Sequence, residues 1–424
     1  MNYLLKELPA LVDAGVINED TAENIRQYYN QKSDSSSQRL VMVFSILGAL
    51  LVGLGIILII AHNWDDLSKG AKIVCALAPM IISQSLCAVA LVRHSGSRTW
   101  REASSTSLIF SIAAAIAIVS QVYHMHGDLS RFLIVWMVLS IPVIYVMHSR
   151  MASLLVICGI TWYAVNESYL DYFSFDPQIA WYYWLMLAAV IPFYILLLRK
   201  ERRNFFYYHT WFIVISVTIG LGMFGESGEQ WLYVGYMALF CIFILTGSTA
   251  WFSESRLIAN GFLVAGSMGV AIILISLGFE WNLSHGASIQ SGMELYVSLA
   301  VFLIASALLL YHIRRNGPPL NMQGTIFIPF SIIFFLGYFQ PELARVLVNL
   351  LLLVTGILIM RHASRANSLF TMNYGLALIA ALIVSRFLDD DITFVIRGLI
   401  FIAVGIGFFA ANFWILRKKR LAKS

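Results

Sequence analysis

The sequence predicts an all-α integral membrane protein with about fourteen transmembrane helices, within a range of twelve to fourteen. Hydrophobic residues make up 59% of the 424 positions, and charged residues only 12%. A soluble domain carries about twice that share of charge. Long apolar runs recur along the chain, and the segments between them are short. A water-soluble fold could not bury this much apolar surface, so the composition indicates a polytopic protein covered by the lipid bilayer.

The apolar runs predict a transmembrane domain over residues 39–417. As helices, most of the runs are long enough for a hydrocarbon core of about 30 Å. The segments at 152–168, 324–338 and 343–360 are short or closely spaced, which sets the lower end of the range. The predicted spans are 40–62, 71–92, 106–125, 131–147, 152–168, 179–198, 209–225, 231–252, 257–278, 293–313, 324–338, 343–360, 369–387 and 392–416.

The distribution of basic residues predicts that both termini are cytoplasmic. Lys and Arg concentrate in the cytoplasmic loops of membrane proteins. If the first span starts in the cytoplasm and the spans alternate, 22 of the 28 Lys and Arg residues lie on the cytoplasmic side. This orientation also makes residues 418–424 a basic cytoplasmic tail. The six basic residues on the outer side are Lys69, Lys72, Arg131, Arg345, Arg386 and Arg397.

Residues 1–38 predict a small cytoplasmic helical hairpin followed by a Ser-rich tether. Leucines recur at helical spacing, Gly15 is a candidate stop, and Asn18 or Asp20 can cap a second helix. About 35 residues are too few for a stable core of their own. We therefore expect the hairpin to bind the membrane domain, the lipid surface or a cytoplasmic protein partner. Its acidic residues do not suit a nucleic-acid backbone.

Polar and charged side chains collect at the outer ends of several spans, and they predict a charged outer vestibule. Arg397 lies nearly two turns inside the last span, where an arginine costs several kcal/mol unless it is paired or faces a wet cavity. Acidic residues precede it in the same loop and also follow the first span. The candidate vestibule residues are Asn63, Trp64, Asp65, Asp66, Tyr123, His124, Arg386, Asp389, Asp390, Asp391 and Arg397.

The same residues also have local interpretations that the sequence leaves open. Trp64 suits the membrane interface as an anchor. Asp128 can cap the fourth span. The aspartates near residue 390 can cap the last span and pair with the neighbouring arginines, which would make the group a structural clasp.

Motifs for cofactor or metal chemistry are missing from the sequence. It has no Walker motif, no Ser–His–Asp pattern and no His-Glu-x-x-His, and its four cysteines form no Cys-x-x-Cys pair. His124, His126 and Asp128 would need further ligands from elsewhere to bind a metal. We therefore predict no cofactor and no metal, and the residues favour a function other than catalysis.

Four blocks of the sequence resemble a known family. They are LPALVDAGVI, GALLVGLGIILIIAHNWDDLS, QVYHMHGDL and SRFLDDDITFVIRGLIFIAVGIGFFAAN. Together they resemble the bacterial polytopic membrane proteins grouped as domain of unknown function 2157, and their relatives with a Gly-Asp-Tyr motif, although this sequence lacks that motif. The resemblance implies a multi-pass protein of the bacterial inner membrane. It implies no reaction, cofactor or catalytic residue.

Three functions are compatible with these observations. The first is a transporter or permease-like protein with the charged outward-facing vestibule. The second is a membrane scaffold or sensor that uses residues 1–38 to bind a partner. The third is an intramembrane enzyme acting on a lipid-linked substrate, with Asp65, Asp66 and the aspartates 389–391 as its acids. The substrate, any coupling ion and the oligomeric state, including a homo-oligomer, are left open by the sequence.

Overall fold

The computed structural model describes most of the chain, and the described part consists of helices joined by turns, with no strand there. The chain divides into two units, Met1–Cys75 and Ala76–Ser424, and the boundary lies inside a helix. The described residues are 8–9, 11–25, 64–125, 127–170, 181–200, 204–225, 230–249, 252, 260–279, 292–316, 322–366 and 368–387, with the single positions 395, 398, 399, 402, 405, 406 and 409.

Within these ranges, twelve α-helices follow one another along the chain. A π-helical turn, Asn166–Leu170, extends the fourth, and a 3-10 turn, Met322–Thr325, precedes the tenth. The helices are α1 Lys69–Val92, α2 Arg98–Val122, α3 Leu129–Met147, α4 Arg150–Val165, α5 Trp181–Lys200, α6 Asn204–Gly222, α7 Leu232–Gly247, α8 Gly261–Phe279, α9 Met293–Asn316, α10 Phe327–Gly337, α11 Pro341–Arg365 and α12 Leu369–Phe387.

The prediction of an all-α membrane protein is confirmed. Each predicted span from 71–92 to 369–387 overlaps one of the twelve helices. Among the described residues, the helices long and apolar enough to cross a membrane are α1, α2, α3, α8, α9 and α11. The spans predicted at 40–62 and 392–416 lie outside the continuously described residues. The count of fourteen crossings and the cytoplasmic termini therefore stay predictions.

The tenth helix is shorter than the span predicted there. At 1.5 Å per residue, the eleven residues of α10 extend about 16 Å, roughly half of a hydrocarbon core. The 3-10 turn and Ile326 precede it, so the apolar run at 324–338 does not form one regular helix. The short α10 packs against α7 and α11, and these neighbours cover its buried phenylalanines.

Two large apolar clusters form the core of the second unit. The first is centred on α3, α4, α5 and α6, and includes the fully buried Tyr183. The second is built from the helices α7 to α12, with Phe327, Phe330 and Phe334 of α10 fully buried. The most extensive helix contacts are those of α7 with α8 and α9, and of α11 with α12.

Small residues bring two of these helix pairs close together. A methyl group placed on Gly266 of α8 would come within 2.6 Å of the carbonyl oxygen of Phe240 in α7. On α12, Gly375 lies against Gly356 of α11, and a methyl group there would be 3.0 Å from the Gly356 oxygen. Without a hydrophobic effect between helices in lipid, close backbone approach of this kind supplies much of the packing energy.

Serine side chains connect α1 to α2. The Ser83 hydroxyl lies 2.8 Å from both the Ser107 and the Ser111 hydroxyl oxygens. Ser83 and Ser111 are buried. Interhelical hydrogen bonds of this kind contribute about 0.6 kcal/mol each in a membrane protein.

The described part of the N-terminal unit contains short helical segments at residues 11–13 and 19–25. Gly15, with φ of 70°, reverses the chain after the first, and the Val16 N–H donates to the Leu11 carbonyl at 3.0 Å. Asn18 Oδ1 accepts a hydrogen bond from the Thr21 N–H at 3.0 Å. The predicted stop at Gly15 and cap by Asn18 are thus confirmed. The domain boundaries at 38 and 417 stay predictions.

Candidate functional site

The predicted vestibule residues that follow the first span lie in a turn before α1. Asp65 and Asp66 are exposed, and the Lys72 ammonium lies 5.3 Å from the centre of the Trp64 ring. The Ser68 hydroxyl accepts a hydrogen bond from the Ala71 N–H at 3.2 Å and caps α1. Sequence reasoning did not single out this cap.

Tyr123 and His124 lie at the end of α2 and are exposed. His124 has φ of 49°, a left-handed conformation that ends the helix and turns the chain toward α3. The Asp128 carboxylate accepts a hydrogen bond from the Arg131 backbone N–H at 2.6 Å. It also forms an ion pair with the Arg131 side chain at 3.4 Å. The local interpretation of Asp128 as a helix cap is therefore confirmed.

The remaining vestibule residues lie outside what the structure describes. Arg386 belongs to the last turn of α12, but its side chain is outside the described part, as are Asn63, the aspartates 389–391 and Arg397. The charged outer vestibule therefore stays a prediction.

A cavity of about 230 Å³ lies among α8, α11, α12 and the 3-10 turn before α10. Its walls are mainly apolar, and a few polar side chains converge on it. The apolar lining residues are Leu263, Val264, Met268, Ile359 and Phe370, and the polar ones are Ser267, Gln323, His362, Thr371 and Tyr374.

Hydrogen bonds join the polar lining residues of three elements. The Tyr374 hydroxyl of α12 donates to the Ser267 carbonyl oxygen of α8 at 2.6 Å. The Ser267 hydroxyl donates to Oε1 of Gln323 at 3.1 Å. Gln323 is only 5% exposed, so its amide depends on protein partners rather than water. The network fixes the polar end of the cavity in position.

Two carboxylates that sequence reasoning missed cap helices other than their own. The Glu102 carboxylate of α2 accepts hydrogen bonds from the Ser149 hydroxyl at 2.5 Å, the Arg150 N–H at 3.0 Å and the Met151 N–H at 2.9 Å, all at the start of α4. Glu294 of α9 is 1% exposed and accepts a hydrogen bond from the Leu232 N–H at 2.6 Å, at the start of α7. Both acids stabilise the positive end of a helix dipole.

The cavity was also missed, although one signal in the sequence pointed toward it. Ser267 and Tyr374 are polar residues inside predicted spans, and Gln323 directly precedes one. Polar groups at such depth usually face protein rather than lipid. Which of the many serines and tyrosines converge, however, depends on helix packing.

The described helices, several of which are long and apolar enough to span a bilayer, define the class as a helical integral membrane protein. Residues 9–153 match the family model described as Predicted membrane protein (DUF2157), and the match ends within α4. The resemblance predicted from the N-terminal sequence blocks is thereby confirmed over this range. No curated protein and no solved structure matches the chain significantly.

Proposed function

We propose that the protein is a permease-like membrane protein that binds its ligand in the cavity among α8, α11 and α12. The observation that carries the proposal is the cavity's composition, with apolar walls and a hydrogen-bonded polar end in a volume of about 230 Å³. Small-molecule sites typically combine a mainly apolar lining with a few fixed polar groups. The proposal assigns this arrangement to ligand binding.

The 3-10 turn beside the cavity supports the same function. Gln323 lies in the 3-10 turn that precedes the short α10, and it lines the cavity. Transporters often build their binding sites where a helix is broken, because the break frees backbone and side-chain polar groups to face a ligand. We propose that the 3-10 turn has this role.

Transport by proteoliposomes tests the proposal. The full chain is reconstituted, and uptake of labelled amino acids, sugars and short carboxylic acids is compared with protein-free vesicles. Val264→Phe fills the cavity and should lower uptake of the transported solute about tenfold. Val346→Phe makes the same change at a side chain that is 61% exposed on α11, and should leave uptake unchanged.

Two results would contradict the proposal. Uptake equal to that of empty vesicles for all solutes rejects the permease function. If Val264→Phe takes up a solute at the wild-type rate, that solute crosses the protein elsewhere and the cavity is not on its path.

The charged outer vestibule belongs to the same proposal as the outer end of the ligand's path. The predicted orientation puts the vestibule on the outer side and His362, near the end of α11, toward the cytoplasm. Arg397→Ala should reduce uptake if the arginine contacts the solute. Unchanged uptake by this variant would remove the vestibule from the proposal and leave the local interpretation as a clasp.

The N-terminal hairpin favours a second candidate, a membrane scaffold or sensor. A groove of about 490 Å³ in the hairpin is lined by apolar residues, including Leu8 and Val12, together with four acidic side chains. Such a groove suits a protein partner better than lipid. Deletion of residues 1–36 should then abolish activity in cells while membrane insertion is unchanged, and a fully active truncated protein would exclude this candidate.

A further inference from the structure

The rim of the cavity includes the basic end of α11. His362 lines the cavity and lies in the last turn of α11 together with Arg365. Phe370 and Thr371 also line it and lie in the first turn of α12, where the Thr371 N–H already donates to the Ser368 hydroxyl at 3.3 Å. The end of α11 is therefore the basic part of the rim, and it suits an anionic group.

The apolar side of the cavity continues onto an exposed surface. Met268 of α8 is 53% exposed and Phe370 of α12 is 59% exposed, although both line the cavity. Ile272, one turn further along α8 from Met268, is 62% exposed. In a bilayer, exposed apolar side chains on such helices contact acyl chains. A ligand can therefore extend from the cavity into the surrounding lipid.

The predicted orientation brings the rim to the headgroup level of the cytoplasmic leaflet. Arg361, His362 and Arg365 belong to the end of α11 that the basic-residue distribution makes cytoplasmic. Each basic residue close to an anionic membrane surface contributes about 1 kcal/mol of attraction to it. Arginines at the headgroup level, in the same helix turn as a residue that lines an apolar cavity, match the two parts of one phospholipid molecule.

We propose that the cavity binds an anionic phospholipid of the surrounding bilayer. One acyl chain lies against Val264, Met268 and Ile359, and the phosphate lies at the rim beside His362, on the side of α11 that carries Arg365. This inference rests on the proposed function in one respect, since it takes the same cavity as the ligand site. The occupant is a lipid, and the charge on its headgroup is the basis on which it is selected.

Native mass spectrometry of the purified full chain tests this inference. The protein in detergent is titrated with phosphatidylglycerol or with zwitterionic phosphatidylcholine, and bound lipid is counted. Wild-type protein should retain the anionic lipid at about tenfold lower lipid concentration than the zwitterionic one. The double change His362→Gln and Arg365→Gln should abolish this preference.

A matched control separates the rim from general surface charge. Arg314→Gln removes an exposed arginine from the last turn of α9, a helix that does not line the cavity, and should retain the preference. Val264→Phe should weaken binding of both lipids. An unchanged preference in the His362 and Arg365 variant, or undiminished lipid binding by Val264→Phe, overturns the lipid assignment.

The two proposals fail separately. If lipid retention changes in these variants as expected but no solute is taken up, the lipid site is supported and the permease function is rejected. Solute uptake that is sensitive to Val264→Phe, combined with no retained lipid, supports the permease function and rejects the lipid site.

Discussion

The carboxylate of Glu102 accepts a hydrogen bond from the hydroxyl of Ser149 at a distance of 2.5 Å, across 47 residues of sequence. Ser149 is the N-cap of α4, and its hydroxyl oxygen also accepts from the Ala152 N–H and from the Ser105 hydroxyl. Glu102 therefore adds a charged acceptor to a helix that already has its own cap. It joins α2 to the beginning of α4.

Replacing Glu102 by Gln should destabilise the protein by about 1–3 kcal/mol, because the charge-assisted bonds to the start of α4 are lost. Thermal unfolding in detergent measures the change. Ser149→Ala and the double variant complete a cycle, and coupling between the two positions should be at least 0.5 kcal/mol. Additive effects would mean that the two side chains act independently.

Replacing Glu294 by Ala should also destabilise the protein by about 1–3 kcal/mol, because the Leu232 N–H loses its buried carboxylate partner. Glu342→Ala is the matched control. Glu342 also lies in the first turn of an apolar helix, but its side chain is 84% exposed and pairs with Arg345, so its loss should cost about 0–1 kcal/mol. Equal unfolding temperatures for the two variants would contradict the structural role of Glu294.

Gly266→Ala should destabilise the contact between α7 and α8 by about 1–3 kcal/mol. The new methyl group would lie 2.6 Å from a backbone oxygen, so one helix must move. Gly70→Ala in α1 has no atom within 4 Å of the added carbon, and should be neutral or stabilising. Thermal unfolding of both variants in the same detergent shows whether close backbone approach or helix propensity dominates the effect of alanine on stability.

Tyr374→Phe should cost about 0.6 kcal/mol of stability for each interhelical hydrogen bond that its hydroxyl makes, among them the bond to the Ser267 carbonyl. The aromatic ring that lines the cavity is retained. Tyr296→Phe on α9 removes a hydroxyl from a side chain that is 58% exposed and serves as the control. A loss of several kcal/mol in Tyr374→Phe would show that the whole network with Gln323 depends on this one donor.

The helices could be predicted from the sequence because apolar runs of this length have few alternatives to a helix in lipid. The predicted spans at 71–92 and 369–387, for example, nearly coincide with α1 and α12. Local caps were also predictable, as Asn18 and Asp128 show, because each cap lies within three residues of the group that it binds.

Interactions between distant helices could not be predicted in this way. Glu102 and Glu294 occupy ordinary positions near helix ends, and the groups that they bind lie 47 and 62 residues away along the chain. The cavity likewise depends on the rotation of α8, α11 and α12 about their axes, which hydropathy does not specify. The start of α10 at Phe327, three residues after the start of the predicted span, depends on the 3-10 turn before it, which hydropathy does not specify.

The close contact between Gly356 and Gly375 has a consequence for how the cavity can change shape. These glycines place the backbones of α11 and α12 against each other, and each of those helices contributes one wall of the cavity. Two helices in such contact can slide or separate only by losing most of their mutual packing, so they should behave as one rigid body. The contact at Gly266 holds α8 to α7 in the same way, so widening of the cavity would require α7 and α8 to move together away from α11 and α12.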